Sequence, residues 1–186
     1  MLQASSTSSD CAVPEAEGPF SPVELLGVLV EHGVDFILIG GLAATVHGSP
    51  YATVDVDIVP RLERANLGRL SDALRALGAR VYVSTNETLR FEHDGASISD
   101  AAVWNLATVF GGLDITYVPA GTSGYADLAK RAQANDVGGV VVRVAALEDI
   151  IRSKEAADRE KDRVVLPALR RLLERSGEQR KPRSEA

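Results

Sequence analysis

Residues 36–59 read Phe-Ile-Leu-Ile-Gly-Gly-Leu-Ala-Ala-Thr-Val-His-Gly-Ser-Pro-Tyr-Ala-Thr-Val-Asp-Val-Asp-Ile-Val, and this stretch decides the fold. Its first four residues are apolar without interruption, which is typical of a strand buried on both faces. Two glycines end that run, and Leu42 to His47 are enough for one or two helical turns. The last eight residues alternate between apolar and polar, which predicts a second strand. The stretch therefore predicts strand, short helix and strand.

The residues on either side of this stretch predict helices. Ser21 is a candidate N-cap, Pro22 suits the first turn, and Glu24 stands where a capping-box acid stands. Leucines then follow at helical spacing until a glycine ends the helix. After the stretch, leucines at helical intervals predict a helix over 63–77, and a strand follows at 81–83.

The C-terminal half predicts further strands and then helices. In chain order we expect a hairpin of residues 107–110 and 113–118 joined by a turn at Gly111–Gly112, a helix over 124–133, a short strand or hairpin at 137–144, and helical structure over 146–175. Because strands and helices alternate with hairpins among them, the fold class is α/β (α+β), a mixed β-sheet flanked by helices with a C-terminal helical element.

The composition of the 186 residues excludes several classes of protein. Apolar residues make up 45% and charged residues 25%, as in a folded domain and unlike collagen or a disordered chain. Every apolar run is shorter than the ~20 residues that a bilayer span requires, so we expect no membrane segment. The single cysteine, Cys11, cannot form a disulfide within one chain. With no basic start or apolar stretch typical of a secretory signal, we expect a cytoplasmic location.

Two acids on the second predicted strand need an explanation. Asp55 and Asp57 point the same way on a strand, about 6.6 Å apart, and repel each other by roughly 2.5 kcal/mol at an effective dielectric of 20. A divalent cation offsets that repulsion, and Mg²⁺ favours carboxylates together with phosphate oxygens. The alternative is an exposed edge strand whose acids deter aggregation.

Two neighbouring features favour the metal site. Gly40 and Gly41 let backbone N–H groups approach a bound group closely, and the helix that follows begins with unsatisfied donors that suit phosphate. Asp114 lies between Leu113 and Ile115 on another predicted strand, where an acid needs a partner. Together, three acids on strands and a Gly-Gly turn are more specific than any one of them.

These residues resemble the nucleotidyltransferase superfamily related to DNA polymerase beta, whose signature is Gly-Gly or Gly-Ser followed by Asp-x-Asp or Asp-x-Glu. The segments 39–48, 53–58, 147–154 and 159–162 resemble its AbiEii-type branch, which includes mycobacterial nucleotidyltransferase toxins of toxin–antitoxin pairs that modify tRNA ends. The likeness covers about residues 22–175.

The resemblance implies roles for individual residues. Gly40 and Gly41 bind the nucleoside triphosphate (NTP) through backbone amides, and Lys154 contacts its phosphates. Asp55, Asp57 and Asp114 are the metal ligands of two Mg²⁺ ions, with Asp114 also activating the attacking hydroxyl. Catalysis is thus assigned to the three acids and Lys154. Asp162 is assigned to the nucleotide-binding pocket, where it orients Lys154 or an acceptor group.

The resemblance also implies a domain organisation and a reaction. We expect a disordered tail over 1–19, a nucleotidyltransferase core over 20–145, C-terminal helices over 146–176 and a flexible tail over 177–186. The expected reaction transfers a nucleoside monophosphate (NMP) from an NTP to an acceptor hydroxyl, with a tRNA 3′ end as acceptor and a cognate antitoxin as partner. The alternatives are transfer to a protein or an aminoglycoside-like small molecule, and a non-catalytic nucleotide- or partner-binding domain.

Three further features stay open at this stage. Relatives in this branch commonly carry Arg where this chain has Tyr51, which bears on triphosphate or acceptor binding. His47 is either a structural histidine or a residue of the site. Arg170, Arg171 and Arg175 lie in a C-terminal segment where basic residues outnumber acids, and they are either RNA contacts or a solvated helix face.

Overall fold

The computed structural model describes residues 19–84, 87–90, 92–99 and 102–179. Residues 1–18 of the predicted N-terminal tail and residues 180–186 of the predicted C-terminal tail lie outside the described residues, as does Cys11. Within the described ranges, none of the helices combines the length and the apolar character that crossing a membrane requires.

The helices and strands alternate along the chain as a mixed fold. The helices are α1 (Pro22–Glu31), α2 (Gly40–Val46), α3 (Arg64–Ala76), α4 (Tyr125–Leu128), α5 (Leu147–Ala157) and α6 (Glu160–Gln179), with a short 3-10 turn at Ser97–Ser99. The strands are β1 (Phe36–Ile39), β2 (Asp55–Pro60), β3 (Arg80–Ser84), β4 (Glu87–Arg90), β5 (Val103–Thr108), β6 (Gly111–Thr116), β7 (Gln133–Val137) and β8 (Val140–Val144).

One sheet contains all eight of these strands, in the order β4-β3-β5-β6-β2-β1-β8-β7. The pairs β2–β6 and β1–β8 are parallel and the other pairs are antiparallel, so the sheet is mixed as the sequence predicts. The strand β2 is central and lies between β1 and β6. Asp57 and Ile58 are therefore paired with a strand on each side.

The hydrophobic core lies against one face of the sheet. Val56 and Ile58 on β2 and Leu113 on β6 are fully buried, together with leucines of α1 and α3 such as Leu25 and Leu70. Because side chains alternate along a strand, Asp55, Asp57 and Asp114 fall on the opposite face. The core thus fixes which face of the sheet carries the acids.

The turn of the β5–β6 hairpin differs from the prediction. Val109 and Phe110 form the turn, whereas Gly111 and Gly112 belong to β6 and pair with Thr108 and Ala107. The Thr108 hydroxyl accepts a hydrogen bond from the Phe110 amide and donates one to the Gly111 carbonyl, which closes the turn two residues early. Gly111 has φ +105°, and a Cβ there would lie 2.9 Å from Phe20. The two glycines therefore belong to strand β6, where the missing side chain of Gly111 leaves room for Phe20.

Other predicted elements differ in length. Strand β2 begins at Asp55, three residues later than predicted, and the predicted helix over 124–133 is reduced to the four residues of α4 because β7 takes over at Gln133. The predicted helical stretch 146–175 is broken at Asp158, which is left-handed at φ +49°, and resumes as α6. Ser21 precedes α1 but makes no side-chain capping bond.

Candidate active site

The three acids predicted for metal binding lie side by side on two parallel strands. Asp57 on β2 pairs in register with Asp114 on β6, and Asp55 pairs with Gly112. Residues paired across neighbouring strands lie about 4.8 Å apart and share a face. The three carboxylates therefore share one patch of the sheet.

The Gly-Gly turn fits closely against this patch. Gly40 has φ +75°, and a Cβ at that position would lie 1.9 Å from Asp57 Oδ2. A Cβ on Gly41 would lie 2.5 Å from Thr53 Oγ1. The Gly41 amide donates a long hydrogen bond of 3.4 Å to Asp57 Oδ2. Glycine is required at both positions because the backbone and the acid-bearing strand are in direct contact.

The surroundings of Asp57 disfavour its charged form. Burial, followed by the charges of Asp55 and Asp114, raises the pKa of Asp57 to about 7. The Gly41 amide and Lys154 oppose the rise without cancelling it. Burial also raises the pKa of Asp114, although a hydrogen bond from Asn105 opposes the rise. The patch therefore carries more negative charge than the residues around it neutralise.

The break between α5 and α6 brings two cations to the acids. Lys154 Nζ lies 3.0 Å from Asp162 Oδ1, and Arg159 Nε lies 2.7 Å from Asp162 Oδ2. Asp162 is fully buried. Burial raises its pKa, but the hydrogen bonds from Arg159 and Lys154 outweigh that effect and hold the pKa below its ordinary value. Asp162 thus holds both cations in place, and each of its carboxylate oxygens is paired with one of them.

Two adjoining cavities meet at these residues. The larger, of about 390 Å³, is lined by Asp57 and Asp114 and has an apolar wall that includes Val118, Pro119 and Ile150. The smaller, of about 180 Å³, is lined by both glycines of the turn, Asp55, Tyr51, Lys161 and Asp162. Gly40, Asp57, Lys154 and Arg159 line both cavities. An elongated ligand can therefore extend from one cavity to the other past Asp57.

Sequence reasoning missed four polar residues of this site. Arg159 and Lys161 line the cavities and lower the pKa of Asp114. Both belong to the segment 159–162 that carries the family resemblance, and this segment was the signal that could have identified them. Asn105 Nδ2 donates to Asp114 Oδ1 at 2.9 Å, and Thr53 Oγ1 donates to Asp55 Oδ1 at 2.6 Å. Thr53 shares the alternating face of Asp55 and begins the segment 53–58 that carries the resemblance, and these are its sequence signals. Asn105 has no such signal because the β5–β6 register decides its position.

The features left open by the sequence are also located. His47 Nε2 makes a 2.8 Å hydrogen bond to the Ala145 carbonyl and lines neither cavity of the site, which fits a structural histidine. Tyr51 lines the smaller cavity, and its hydroxyl donates to the Val164 carbonyl at 3.5 Å. Arg170 forms an ion pair with Glu155 on the exposed surface of α6.

The acidic patch suits a hard divalent cation by its donor chemistry. Its three carboxylates supply the oxygen ligands that Mg²⁺ prefers. Burial and, after it, the charges of Asp55 and Asp114 raise the pKa of Asp57, and a cation would offset both effects. As the side chains stand, no group of three His, Cys, Asp or Glu within the described ranges is arranged to enclose a metal ion. Thr53 and Asn105 each occupy one carboxylate oxygen. The donor set therefore fits a partly hydrated ion that shares its remaining positions with a substrate.

Comparison with known proteins identifies the fold. The structure matches that of the lincosamide antibiotic adenylyltransferase LnuA bound to lincomycin, with a TM-score of 0.55 and 14% identity over 80% of this chain and 94% of that chain. TM1012 from Thermotoga maritima matches at 0.47 and 16% identity, covering 82% of this chain and 89% of that one. ANT(2")-Ia with adenylyl-2"-tobramycin matches at 0.42 and 18%, covering 78% and 92%.

The match to LnuA shows that the chain has the nucleotidyltransferase fold, and this confirms the predicted fold class. No sequence profile of a protein family matches the chain. No curated protein matches it either. The resemblance to the AbiEii-type branch stays a prediction.

Proposed function

We propose that this protein is a Mg²⁺-dependent nucleotidyltransferase that moves an NMP from an NTP to an acceptor hydroxyl and releases pyrophosphate. The observation that carries the proposal is the register of Asp57 with Asp114, beside a Gly-Gly turn that touches Asp57. Such an arrangement is costly for a fold by itself, since the acids repel one another. It is useful where cations and phosphates complete the site.

Metal binding in this proposal falls to Asp55, Asp57 and Asp114. Bound Mg²⁺, two ions by the resemblance, would neutralise the charge that develops on the attacking and leaving oxygens. Asp114 keeps Oδ2 free of the Asn105 hydrogen bond, and burial raises its pKa. It is therefore suited to accept the proton of the attacking hydroxyl.

In this proposal the Gly40–Gly41 turn and the two cations held by Asp162 bind the phosphates. Gly40 and Gly41 lie at the start of α2 and line the smaller cavity, which also contains Lys161. Lys154 and Arg159 stand where both cavities meet. The acceptor oxygen attacks the α-phosphorus, the bond from that phosphorus to the pyrophosphate oxygen breaks, and these cations stabilise the pyrophosphate that leaves.

The proposed acceptor is a tRNA 3′ end, and the proposed role is that of a toxin with a cognate antitoxin. Both rest on the sequence resemblance of segments 39–48, 53–58, 147–154 and 159–162 to the AbiEii-type branch. Growth arrest on expression in bacteria, dependent on Asp57, is the outcome expected of such a toxin.

A small-molecule acceptor is the second candidate, because the larger cavity is the right size for one. Its volume of about 390 Å³ and its wall of Val118, Pro119 and Ile150 are typical of sites for small amphipathic ligands. LnuA, whose fold is similar, is an adenylyltransferase of lincosamide antibiotics. An aminoglycoside- or lincosamide-like molecule is therefore a reasonable second acceptor.

Replacing Asp57 tests the proposal directly. The purified protein is incubated with Mg²⁺ and each α-labelled NTP, together with total tRNA, a protein extract, or a panel of aminoglycosides and lincosamides. We expect one NTP to label tRNA, and Asp57→Asn or Asp57→Ala to reduce labelling by at least roughly 100-fold because charge neutralisation at the reacting phosphate is lost.

The control is Glu174→Gln, which removes an exposed carboxylate on α6. This variant should keep full labelling. Labelling of a drug but not of tRNA selects the second candidate. NTP binding without labelling of any acceptor indicates a non-catalytic domain, and full activity of Asp57→Asn contradicts the assignment of the site.

A further inference from the structure

Asp114 lies between two side chains of opposite character on the sheet. Asp57 pairs with it from β2, and Asn105 pairs with it from β5. Residues directly opposite one another share a face, so the three side chains form one row across three strands. Asp114 therefore has another acid on one side and an amide, which can donate a hydrogen bond, on the other.

The amide holds one of the two carboxylate oxygens of Asp114. Asn105 Nδ2 donates a hydrogen bond of 2.9 Å to Asp114 Oδ1. In the part of the chain that the structure describes, this is the one hydrogen bond that the Asp114 carboxylate accepts. Oδ2 is left for a metal ion or for the proton of an acceptor hydroxyl. Asn105 thus decides which oxygen of Asp114 is available.

The hydrogen bond acts against the repulsion within the acidic patch. Asp114 experiences the charge of Asp55, and Asp57 experiences the charge of Asp114. Hydrogen bonds to an ionised group are roughly twice as strong as those between neutral groups. The bond from Asn105 can therefore hold the Asp114 carboxylate in its orientation before any cation offsets the repulsion.

The sheet itself gains little from an asparagine at this position. Asparagine is depleted in strands, whereas β-branched residues such as Val103 on the same strand favour them. Asn105 is exposed and lines the larger cavity of the site. Residues that disfavour their own secondary structure are expected mainly where function requires them. An exposed strand asparagine bonded to a site acid fits that expectation.

Thr53 makes a similar contact with Asp55 but has a second role. Its Oγ1 donates to Asp55 Oδ1 at 2.6 Å, and a Cβ on Gly41 would lie 2.5 Å from the same Oγ1. A variant of Thr53 therefore disturbs the glycine turn as well as the acid. The side chain of Asn105 contacts the acid from the opposite edge of the patch, on β5, so its effect on the acid can be tested separately.

We propose that Asn105 is a positioning residue for Asp114, whose amide fixes the carboxylate so that Oδ2 stays available to Mg²⁺ and to the proton of the acceptor hydroxyl. The inference rests on the proposed function and adds to it a residue that acts through Asp114. Hydrogen-bond partners of metal-ligating carboxylates orient their ligands in this way, and their loss typically costs roughly 10–100-fold in metal affinity or activity.

Two substitutions of nearly equal shape separate the hydrogen bond from the volume of the side chain. Asn105→Val and Asn105→Thr both introduce a β-branched residue that suits a strand, and only threonine keeps a donor. The Mg²⁺ concentration at half of the rise in Tm, measured without nucleotide, reports the metal affinity. We expect this concentration to increase about 10-fold in Asn105→Val and less in Asn105→Thr.

The labelling kinetics supply a second measurement. At saturating Mg²⁺ we expect Asn105→Val to lower kcat by at least about 10-fold. The KM for NTP should stay nearly unchanged, because the proposed phosphate contacts are made by the glycine turn, Lys154 and Arg159. A purely structural role would instead lower the free energy of unfolding in EDTA, which we expect the valine variant to retain.

Asn135→Val is the matched control. Asn135 also lies on a strand, β7, but its Nδ2 donates to the Gln133 carbonyl and not to an acid. It lines neither cavity of the site. The Mg²⁺ dependence of Tm, the kcat and the KM of this variant should equal those of the wild type.

The outcomes separate this inference from the proposed function. If Asn105→Val keeps the wild-type Mg²⁺ affinity and kcat, the inference is wrong even where nucleotide transfer occurs. Equal Mg²⁺ affinities of the valine and threonine variants, or a matching loss of unfolding free energy in EDTA, also overturn it. If Mg²⁺ affinity depends on the hydrogen bond while no acceptor is labelled, the proposed reaction fails and the role of Asn105 stands. A wild-type Tm that does not respond to Mg²⁺ contradicts both.

Discussion

Buried carboxylates occur in two regions of this protein, and the two regions treat them differently. At the α5–α6 side, Asp149 and Asp162 are fully buried. Asp149 is paired with Arg131 and, at 2.8 Å, with Arg152. Asp162 likewise has two cationic partners. Each of these two buried acids is therefore neutralised by two cations.

The acidic patch lacks such pairing. Burial and the two neighbouring acids raise the pKa of Asp57 to about 7, and burial also raises the pKa of Asp114. Within the described residues neither acid has an ion-pair partner, and the cations nearby are directed at Asp162. This difference in charge compensation supports the proposal that a ligand binds at the acidic patch.

The largest expected effect comes from exchanging one acid in each region for its amide. Asp149→Asn leaves two arginines facing a neutral group, and we expect a loss of about 3 kcal/mol in the free energy of unfolding. Asp57→Asn removes repulsion, so it should raise the stability of the metal-free protein at pH 8. Urea unfolding of both variants measures the difference. If both variants change the free energy of unfolding in the same direction, the proposed contrast between the two regions is wrong.

A smaller effect is expected from adding a methyl group at the glycine turn. Gly40→Ala introduces a side chain at φ +75° that overlaps the Asp57 carboxylate, so we expect a loss of about 2 kcal/mol together with loss of nucleotide transfer. Gly139→Ala is the matched control, since Gly139 has φ +94° but no atom within 4 Å of the added Cβ. It should cost about 1 kcal/mol and leave the activity intact. If both glycine variants lose nucleotide transfer, the loss comes from backbone strain and not from the overlap with Asp57.

A pH dependence of stability through Asp57 is also expected. Its pKa is about 7 in the folded protein against 3.8 as the ordinary value, so the folded state binds more protons between these values. Stability should therefore fall as pH rises from 4 to 7 and level off above pH 8. In thermal denaturation, where ~1 kcal/mol corresponds to about 2–4 °C for a domain of this size, the excess Tm of Asp57→Asn over wild type should grow from pH 5 to pH 8.

Magnesium should cancel that excess at pH 8 by stabilising the wild type and not Asp57→Asn. A Tm of the wild type that is the same in Mg²⁺ and in EDTA would argue against metal binding by these acids. Glu174→Gln serves again as the control, and its Tm should follow that of the wild type at each pH.

Much of the fold could be predicted because local pattern and tertiary structure agree there. Strand β1 is an uninterrupted apolar run and β2 alternates over its first four residues, so the burial there follows from the sequence pattern. Alternation does not predict that Val59 and Pro60 are both buried. The hairpin turn was predicted wrongly because glycines usually mark turns, whereas here Thr108 closes the turn earlier and Phe20 packs against Gly111. The break at Asp158 was missed because nothing in the sequence around it resembles a helix stop. The Asp158 side chain instead accepts two hydrogen bonds from Arg163, which hold this left-handed residue in place.

The amino-acid sequence alone specifies the residue types of the site, the alternation that aligns Asp55 with Asp57, and the glycines Gly40 and Gly41 that precede them. The pairing of Asp114 with Asp57 and the positions of Asn105 and Arg159 beside them follow from the tertiary structure. The physical reason is that alternation is a property of one strand, while register depends on hydrogen bonds between strands far apart in the chain.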